Sequence, residues 1–312
     1  MMPAAARRIG PLRERGIALL TALLVVALAT IMVAMLLDSA EGELARTRNL
    51  MRGSQGDQYA LGLEAWAIDL LRRDAADGSD NDSRDDMWSA PLPPTPVPGG
   101  SVRGQMRDLN GCFNLNSLLT VPAAERRLKR LLTVLKLDPE LSDAVFDWLD
   151  PDFQTRARGA EDNLYLLASP GYRAANRRFV HVSELRQVRG FDRNTYATLA
   201  PHVCALPGPS PLNVNTATVP VLMSLDPSIT QGVAERVAHE GHAHYTGIST
   251  DFAAELLRQG ALLTDTSDLG VSSEYFVAEV ELELDGIPFG YASLIQRQHG
   301  RYAVLARMRG AW

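Results

Sequence analysis

Apolar side chains recur along this chain of 312 residues in three different rhythms. Residues 17–37 are a run of 21 uncharged, mostly apolar positions with no period at all. A helix crosses a bilayer in roughly 20 residues, so the run is long enough to span one. Behind it, Leu44, Met51, Tyr59, Leu63, Trp66 and Leu70 recur at helical intervals, which predicts a helical spine over residues 38–73. Gly42, Gly53, Gly56 and Gly62 interrupt that face. Each interior glycine costs ~1 kcal/mol against alanine, so a bend is expected near residues 53–56. At the far end the period falls to two. Phe276, Ala278, Val280, Leu282 and Leu284 alternate with Tyr275, Val277, Glu279, Glu281 and Glu283, as in a strand with one buried face. Asp285-Gly286 and His299-Gly300 are turn pairs, and the apolar positions between and beyond them predict two more antiparallel strands within residues 266–312.

The middle of the chain reads as helices. Pro122 leads Leu128, Leu131, Leu132 and Leu135, and Pro139 leads Leu141, Val145, Trp148 and Leu149. Shorter helices are predicted over residues 183–188, 195–199, 216–225, 231–240 and 251–259. Residues 74–114 come before this region, and 102–108 offer a further strand. Asp74, Asp77, Asp80, Asp82, Asp85 and Asp86 are followed by Pro91, Pro93, Pro94, Pro96 and Pro98. That stretch reads as a surface linker with a solvated charge run, because it lacks the spacing and closing Glu of a calcium-binding helix–loop–helix. The fold class is therefore α+β: a long N-terminal helix packed on an antiparallel sheet, with a large all-α domain inserted over residues 115–265.

Charge orients the molecule. Arg7, Arg8, Arg13 and Arg15 precede the apolar run, while Asp38, Glu41 and Glu43 follow it. The basic side stays in the cytoplasm, which predicts a single-pass inner-membrane protein with its bulk in the periplasm. The net charge of −6 disfavours nucleic acid and anionic lipid as partners of the soluble part. Cys112 and Cys204 are the two cysteines, and in an oxidising compartment an even pair reads as one disulfide. Two buried free thiols are the alternative on the residues alone.

The leader, residues 1–16, ends in Arg13-Glu14-Arg15-Gly16 and abuts the apolar run at Ile17. This resembles a type IV prepilin signal, which implies that prepilin peptidase cuts between Gly16 and Ile17. Pilins place a Glu at the fifth mature position, where its carboxylate pairs with the terminal ammonium of a neighbouring subunit, whereas here that position is Thr21. A charge in hydrocarbon is unfavourable by roughly 2.5–3.5 kcal/mol on insertion scales. A subunit without the carboxylate cannot neutralise a neighbour added before it, so it fits the filament tip. Further strings resemble the K-type minor pseudopilins of type II secretion. They are Gly111-Cys112-Phe113-Asn114-Leu115-Asn116, Asp147-Trp148-Leu149-Asp150-Pro151-Asp152, Gly159-Ala160-Glu161-Asp162, Pro170-Gly171-Tyr172 with Asn176, Ser183-Glu184-Leu185, and Leu212-Asn213-Val214-Asn215-Thr216-Ala217. The resemblance implies a pilin-like fold and a tip position that initiates or caps the pseudopilus in the export of folded proteins. It also implies, as partners, the other minor pseudopilins, the major pseudopilin and the inner-membrane assembly platform.

Candidate chemistry is sparse. Asp147, Asp150, Asp152, Glu161 and Asp162 bracket a segment poor in apolar residues. Calcium takes six to eight oxygens, which such a folded-back loop can supply, and the resembled family binds calcium in its helical domain. A structural Ca2+ is thus expected there, against a solvated acidic loop paired with Arg156 and Arg158. His239-Glu240-Gly241-His242-Ala243-His244 invites a zinc-protease reading, but Ala243 occupies the i+4 position a second ligand needs. Residues 213–222 resemble the opening of a helix-hairpin-helix, the basis for an alternative role as a membrane-anchored DNA-uptake pilin. The turn Asp226-Pro227-Ser228 opposes it with an acid and a missing amide, and Asn213 and Thr216 are expected as turn and cap residues. No Ser-His-Asp, Cys-His or phosphate-loop pattern is visible, so no enzyme and no catalytic residue are predicted.

Overall fold

The structure, a computed structural model, describes residues 14–77 and 80–310. Most of the leader, residues 1–13, lies outside them. Two compact units divide the chain, residues 1–58 and residues 59–312. The first carries most of α1 (Glu14–Ala76), which includes a window of mean hydropathy 2.8, long and apolar enough to cross a membrane. No break interrupts the helix at residues 53–56, since α1 is a single run of 63 residues. One or two glycines weaken a helix without breaking its hydrogen-bond ladder.

In the second unit the chain leaves α1 and forms β1 (Leu92–Val97) and β2 (Gly100–Asp108). It then enters the helical region through β3 (Phe113–Asn114), and α2 (Ala124–Val134), α3 (Leu141–Leu149), α4 (Asp162–Tyr165) and α5 (Arg193–Leu199) follow. The two-residue strands β4 (Val203–Cys204) and β5 (Leu212–Asn213) precede α6 (Val219–Leu225), α7 (Gln231–Val237) and α8 (Ala253–Arg258). The exit is β6 (Leu269–Gly270), and β7 (Tyr275–Leu284), β8 (Ile287–Gln298) and β9 (Arg301–Arg309) close the chain.

The main sheet has the order β1-β2-β7-β8-β9, all antiparallel, so β7 is central although β2 precedes it by the whole helical region. Both terminal hairpins turn in two residues at positive φ, Asp285 (49°) with Gly286 (78°) and His299 (50°) with Gly300 (72°). Those turns match strand twist and want glycine second. β1 corrects the sequence reading of this stretch as linker. Its prolines lack N–H donors, which an edge strand tolerates on its open side.

One sheet face packs on the C-terminal part of α1. Ala67, Leu70 and Leu71 meet Trp88, Met106, Phe276, Ala278 and Ile295. Tyr59, Ala60 and Leu63 meet Val102, Val280, Leu282 and Tyr291. The other face is apolar only at its start, where Tyr275 and Val277 join Leu109, Cys204, Leu206, Ala292 and Leu294 beneath the entry to the helical region. Beyond Val277 that face turns polar, with Arg103 paired to Glu281 and Arg107 to Glu279 across the strands. The helical region has its own core, centred on Leu128, Leu131, Leu132, Val145, Trp148, Leu185 and Phe252. Its two ends are tied by Arg127, which is buried and pairs with Asp268 while donating to the Asp265 carbonyl at 3.0 Å.

Candidate functional site

Gly16 and Ile17 both fall within α1. One turn on, the Thr21 hydroxyl donates to the Ala18 carbonyl at 3.0 Å. Its hydrogen is bound within its own helix, and the position carries no charge.

Cys112 and Cys204 are brought together by the parallel pair β3–β4, in which Asn114 lies opposite Cys204. Their sulfurs are bonded, with Cα atoms 5.8 Å apart and a sequence separation of 92. Cys204 packs against Tyr275 and Val277, so the bridge sits where the helical region rests on the sheet.

The five acidic residues are built around the C-terminal end of α3 and the start of α4. Asp147 is fully buried and accepts from the Arg156 amide at 3.1 Å, which folds the loop back over α3. Gly159 passes so close that a Cβ there would lie 1.9 Å from Asp147 Oδ2. Asp143, one turn before Asp147 on the same helix, takes the Arg158 amide at 3.2 Å. The sequence reading passed over Asp143, although the i,i+4 spacing marks it. Asp150 and Glu161 are also buried, and Asp150 Oδ1 and both oxygens of Glu161 have no hydrogen-bond donor. Asn176 adds a further buried oxygen, Oδ1, without a donor, while its Nδ2 donates to the Asp152 carbonyl at 3.2 Å.

Burial, then repulsion from Asp147, Asp150, Asp162 and Asp152, pushes the Glu161 carboxyl up to about 7. Burial, then Asp152 and Asp147, pushes Asp150 up to about 6. The other two members are differently engaged. Asp162 accepts from Arg173 at 2.8 Å and from the Ala174 amide at 3.0 Å. Asp152 is exposed and accepts from the Gln154 amide at 2.7 Å. The unpartnered atoms are all oxygens, with no thiol or imidazole among them. That donor set fits a hard cation such as calcium.

The histidines diverge. His239 and Glu240 have positive φ (46° and 58°), so no single helix presents them. His239 meets the Tyr245 hydroxyl at 3.1 Å, His242 meets Asp85 at 2.5 Å, and His244 meets Asn81 at 3.3 Å. In the turn between α6 and α7, Asp226 takes the Ser228 amide at 3.0 Å and holds the Thr264 hydroxyl at 3.0 Å. Asn213 forms the expected turn by accepting from the Asn215 amide at 3.0 Å. Thr216, expected as a cap, instead donates to Asp108, and Thr218, the residue before α6, makes no side-chain cap.

The acidic run of residues 74–86 also departs from expectation. It is a solvated charge run only in part: Asp77, Asp80 and Asp85 are exposed, whereas Asp74, Asn81, Asp82 and Ser83 are buried. Contacts from distant residues bury that part, among them Ser273, whose amide donates to Asp82 at 2.7 Å, and Arg297.

A long N-terminal helix, an antiparallel sheet under its C-terminal part and an inserted helical region define a pilin-like subunit with an added domain. The profile described as "Type II secretion system (T2SS), protein K" matches residues 111–208. The chain is 36% identical over 316 residues to the Type II secretion system protein K of Pseudomonas aeruginosa, covering 95% of this chain and 93% of that one. It is 33% identical to the protein of the same name from Klebsiella pneumoniae, covering 96% and 98%. A solved structure, that of the GspK-GspI-GspJ complex from the enterotoxigenic Escherichia coli Type 2 Secretion System, contains a chain with the same fold. Its TM-score is 0.70 at 24% identity, covering 86% of this chain and all of that one. The chain belongs to the type II secretion system protein K family.

Proposed function

We propose that this chain is the minor pseudopilin at the tip of the type II secretion pseudopilus, where it initiates or caps assembly and supports export of folded proteins. Thr21 carries the reading. Its hydroxyl is bonded to Ala18 and offers no carboxylate to a terminal ammonium packed against it in the membrane. A subunit of this kind has no means of neutralising an earlier neighbour, so it is added first. The solved relative was crystallised as a GspK-GspI-GspJ complex, which supports the other minor pseudopilins as partners here. The major pseudopilin and the inner-membrane platform complete the set. The basic leader favours an N-terminus in the cytoplasm and a periplasmic bulk.

The test is immunogold labelling of overproduced pseudopili. One label at one end is expected, and labels spread along the shaft would overturn the tip position. Prepilin peptidase is expected to release a mature chain that begins at Ile17. N-terminal sequencing of the membrane form checks this, and a start at Met1 contradicts it.

A calcium ion in the helical region belongs to the same proposal. Asp147, Asp150 and Glu161 would hold it, Asp150 and Glu161 through oxygens that have no donor, while Asp152 and Asp162 shape the loop. A cation removes the repulsion that raises Glu161 and Asp150. Calcium bound only to the folded state stabilises by RT ln(1 + [L]/Kd), about 2.7 kcal/mol at a hundredfold excess. Chelation should lower the melting temperature and open the segment from Phe153 to protease. E161Q should remove the sensitivity to chelator, and identical melting curves with and without chelator on loaded protein would end the idea.

A further inference from the structure

Three carboxylates meet where α1 ends, and none of them belongs to the loop just described. One oxygen from each of Asp74, Asp82 and Asp86 lies within 4.8 Å of the others. Asp74 is in the last turn of α1, and Asp82 and Asp86 are in the segment that follows. Asp82 is 1% exposed and Asp74 8% exposed.

The partners of these groups are few. Arg297 bonds Asp82 Oδ2 and approaches Asp74 at 3.8 Å, and it donates also to the Ser273 carbonyl at 2.8 Å. Asp86 accepts from the Ser83 amide at 2.7 Å, the Ser83 hydroxyl at 2.9 Å and the Trp88 indole at 3.2 Å, and Asp82 Oδ2 accepts also from the Ser273 amide at 2.7 Å. Asp82 Oδ1 is buried and has no donor. One guanidinium thus faces three carboxylates, and a buried charge left unpaired is strongly unfavourable. Each carboxylate oxygen has two acceptor positions, so even Asp86 retains capacity.

We infer that Asp74, Asp82 and Asp86 form a second divalent-cation site, of calcium type, at the end of the helical spine. All-oxygen donors and a charge of −2 after Arg297 is counted suit calcium, and extracellular sites of this kind bind at roughly 10⁻⁴–10⁻³ M. The site has a mechanical role. The same segment is held to the helical region by Arg84, which donates to the Thr216 carbonyl at 2.7 Å, and by Asn213, which donates to the Asp82 carbonyl at 3.0 Å. A cation bridging Asp74 to Asp82 and Asp86 therefore ties the last turn of α1 to the base of the inserted domain.

Trp88 supplies the probe, because its indole donates to Asp86 and will sensitise terbium bound there. The full chain is studied in detergent in an E161Q/D150N background, which disables the other acidic loop, so the two sites fail independently. Terbium emission excited through tryptophan is expected, with displacement by millimolar calcium and one calcium bound per chain by equilibrium dialysis. D74N should weaken binding at least tenfold. This variant is chosen because no hydrogen bond of Asp74 is broken, and near-ultraviolet circular dichroism verifies its fold. W88F should remove most of the emission while leaving calcium stoichiometry at one. No calcium bound at 5 mM in that background, or binding unchanged by D74N, overturns the site and leaves the buried oxygen to water.

Discussion

Glu64 stands beside Leu63 on the spine face that turns to the sheet, and it is 7% exposed. The Ser293 hydroxyl donates to it at 2.8 Å, and Arg307 donates through Nε at 2.7 Å and Nη2 at 2.8 Å. Burial pushes its carboxyl up, but the hydrogen bonds from Arg307 and Ser293 outweigh that and hold it below its ordinary value. A depressed acid is stabilising above its unfolded-state value, and that contribution is lost as pH falls through the folded one. E64Q should destabilise the protein at neutral pH by about 1–2 kcal/mol, the exposure of Arg307 keeping the figure low. Its denaturation midpoint should also fall less on acidification below the glutamate range. Urea melts at neutral and acid pH check both. Such residues are hidden in the sequence, where periodicity marks Leu63 and Leu70 but is silent on a buried Glu between them. Asp82 is hidden for the same reason, since Ser273 and Arg297 bury it from almost two hundred residues away. The cysteines were plain by contrast, because chemistry and compartment restrict what two thiols do.

Helices and strands were legible where apolar positions recur at the period of the element. α2, α3 and the β7–β8–β9 meander follow their periods closely. β1 was not legible, because its prolines spell linker until β2 is known to lie alongside through Thr95↔Val102 and its neighbours. The covering of the second sheet face was signalled weakly, by Tyr275 and Val277 on an otherwise glutamate-bearing side. In the acidic loop the residue types were readable from sequence, while their unequal engagement was not, since Arg173 and the Ala174 amide come from beyond α4. The Cys112–Cys204 bridge pins β3 to β4, elements too short to hold one another by two residues of ladder. Replacing both cysteines by serine should lower stability by about 2–5 kcal/mol. Thermal melts of oxidised wild type against the double variant measure it, and equal midpoints would show the bridge to be dispensable.

At the level of the whole molecule, the proposed tip position turns on Thr21, an uncharged residue in the apolar stretch of α1. T21E should let the subunit pair with a neighbour's ammonium and so enter the shaft. Gold labels on T21E pseudopili are then expected along the filament as well as at its end, and a distribution identical to wild type would argue against the role given to Thr21. The class of fold was legible because spine, insert and meander each declare themselves locally. What joins them was less so, because the polar contacts at the joints, such as Arg127 with Asp268 and Arg297 with Asp82, pair residues distant in sequence.

The sheet order also puts a demand on chain closure. β2 runs from Gly100 to Asp108 and its long partner β7 starts at Tyr275, so the central ladder closes over the whole insert. Loop closure across such a distance is entropically unfavourable and slow. The insert shortens that search. Once Leu212 has paired with Leu269, and Asn110 has accepted the amides of Glu274 and Tyr275, the first and last residues of the ladder are already neighbours. The inserted domain thus holds the two strands of the central ladder together at Asp108 and Phe276, the pair nearest the insert. An insert that failed to close would leave β2 without its long partner, and the apolar face of the spine without the sheet it packs on.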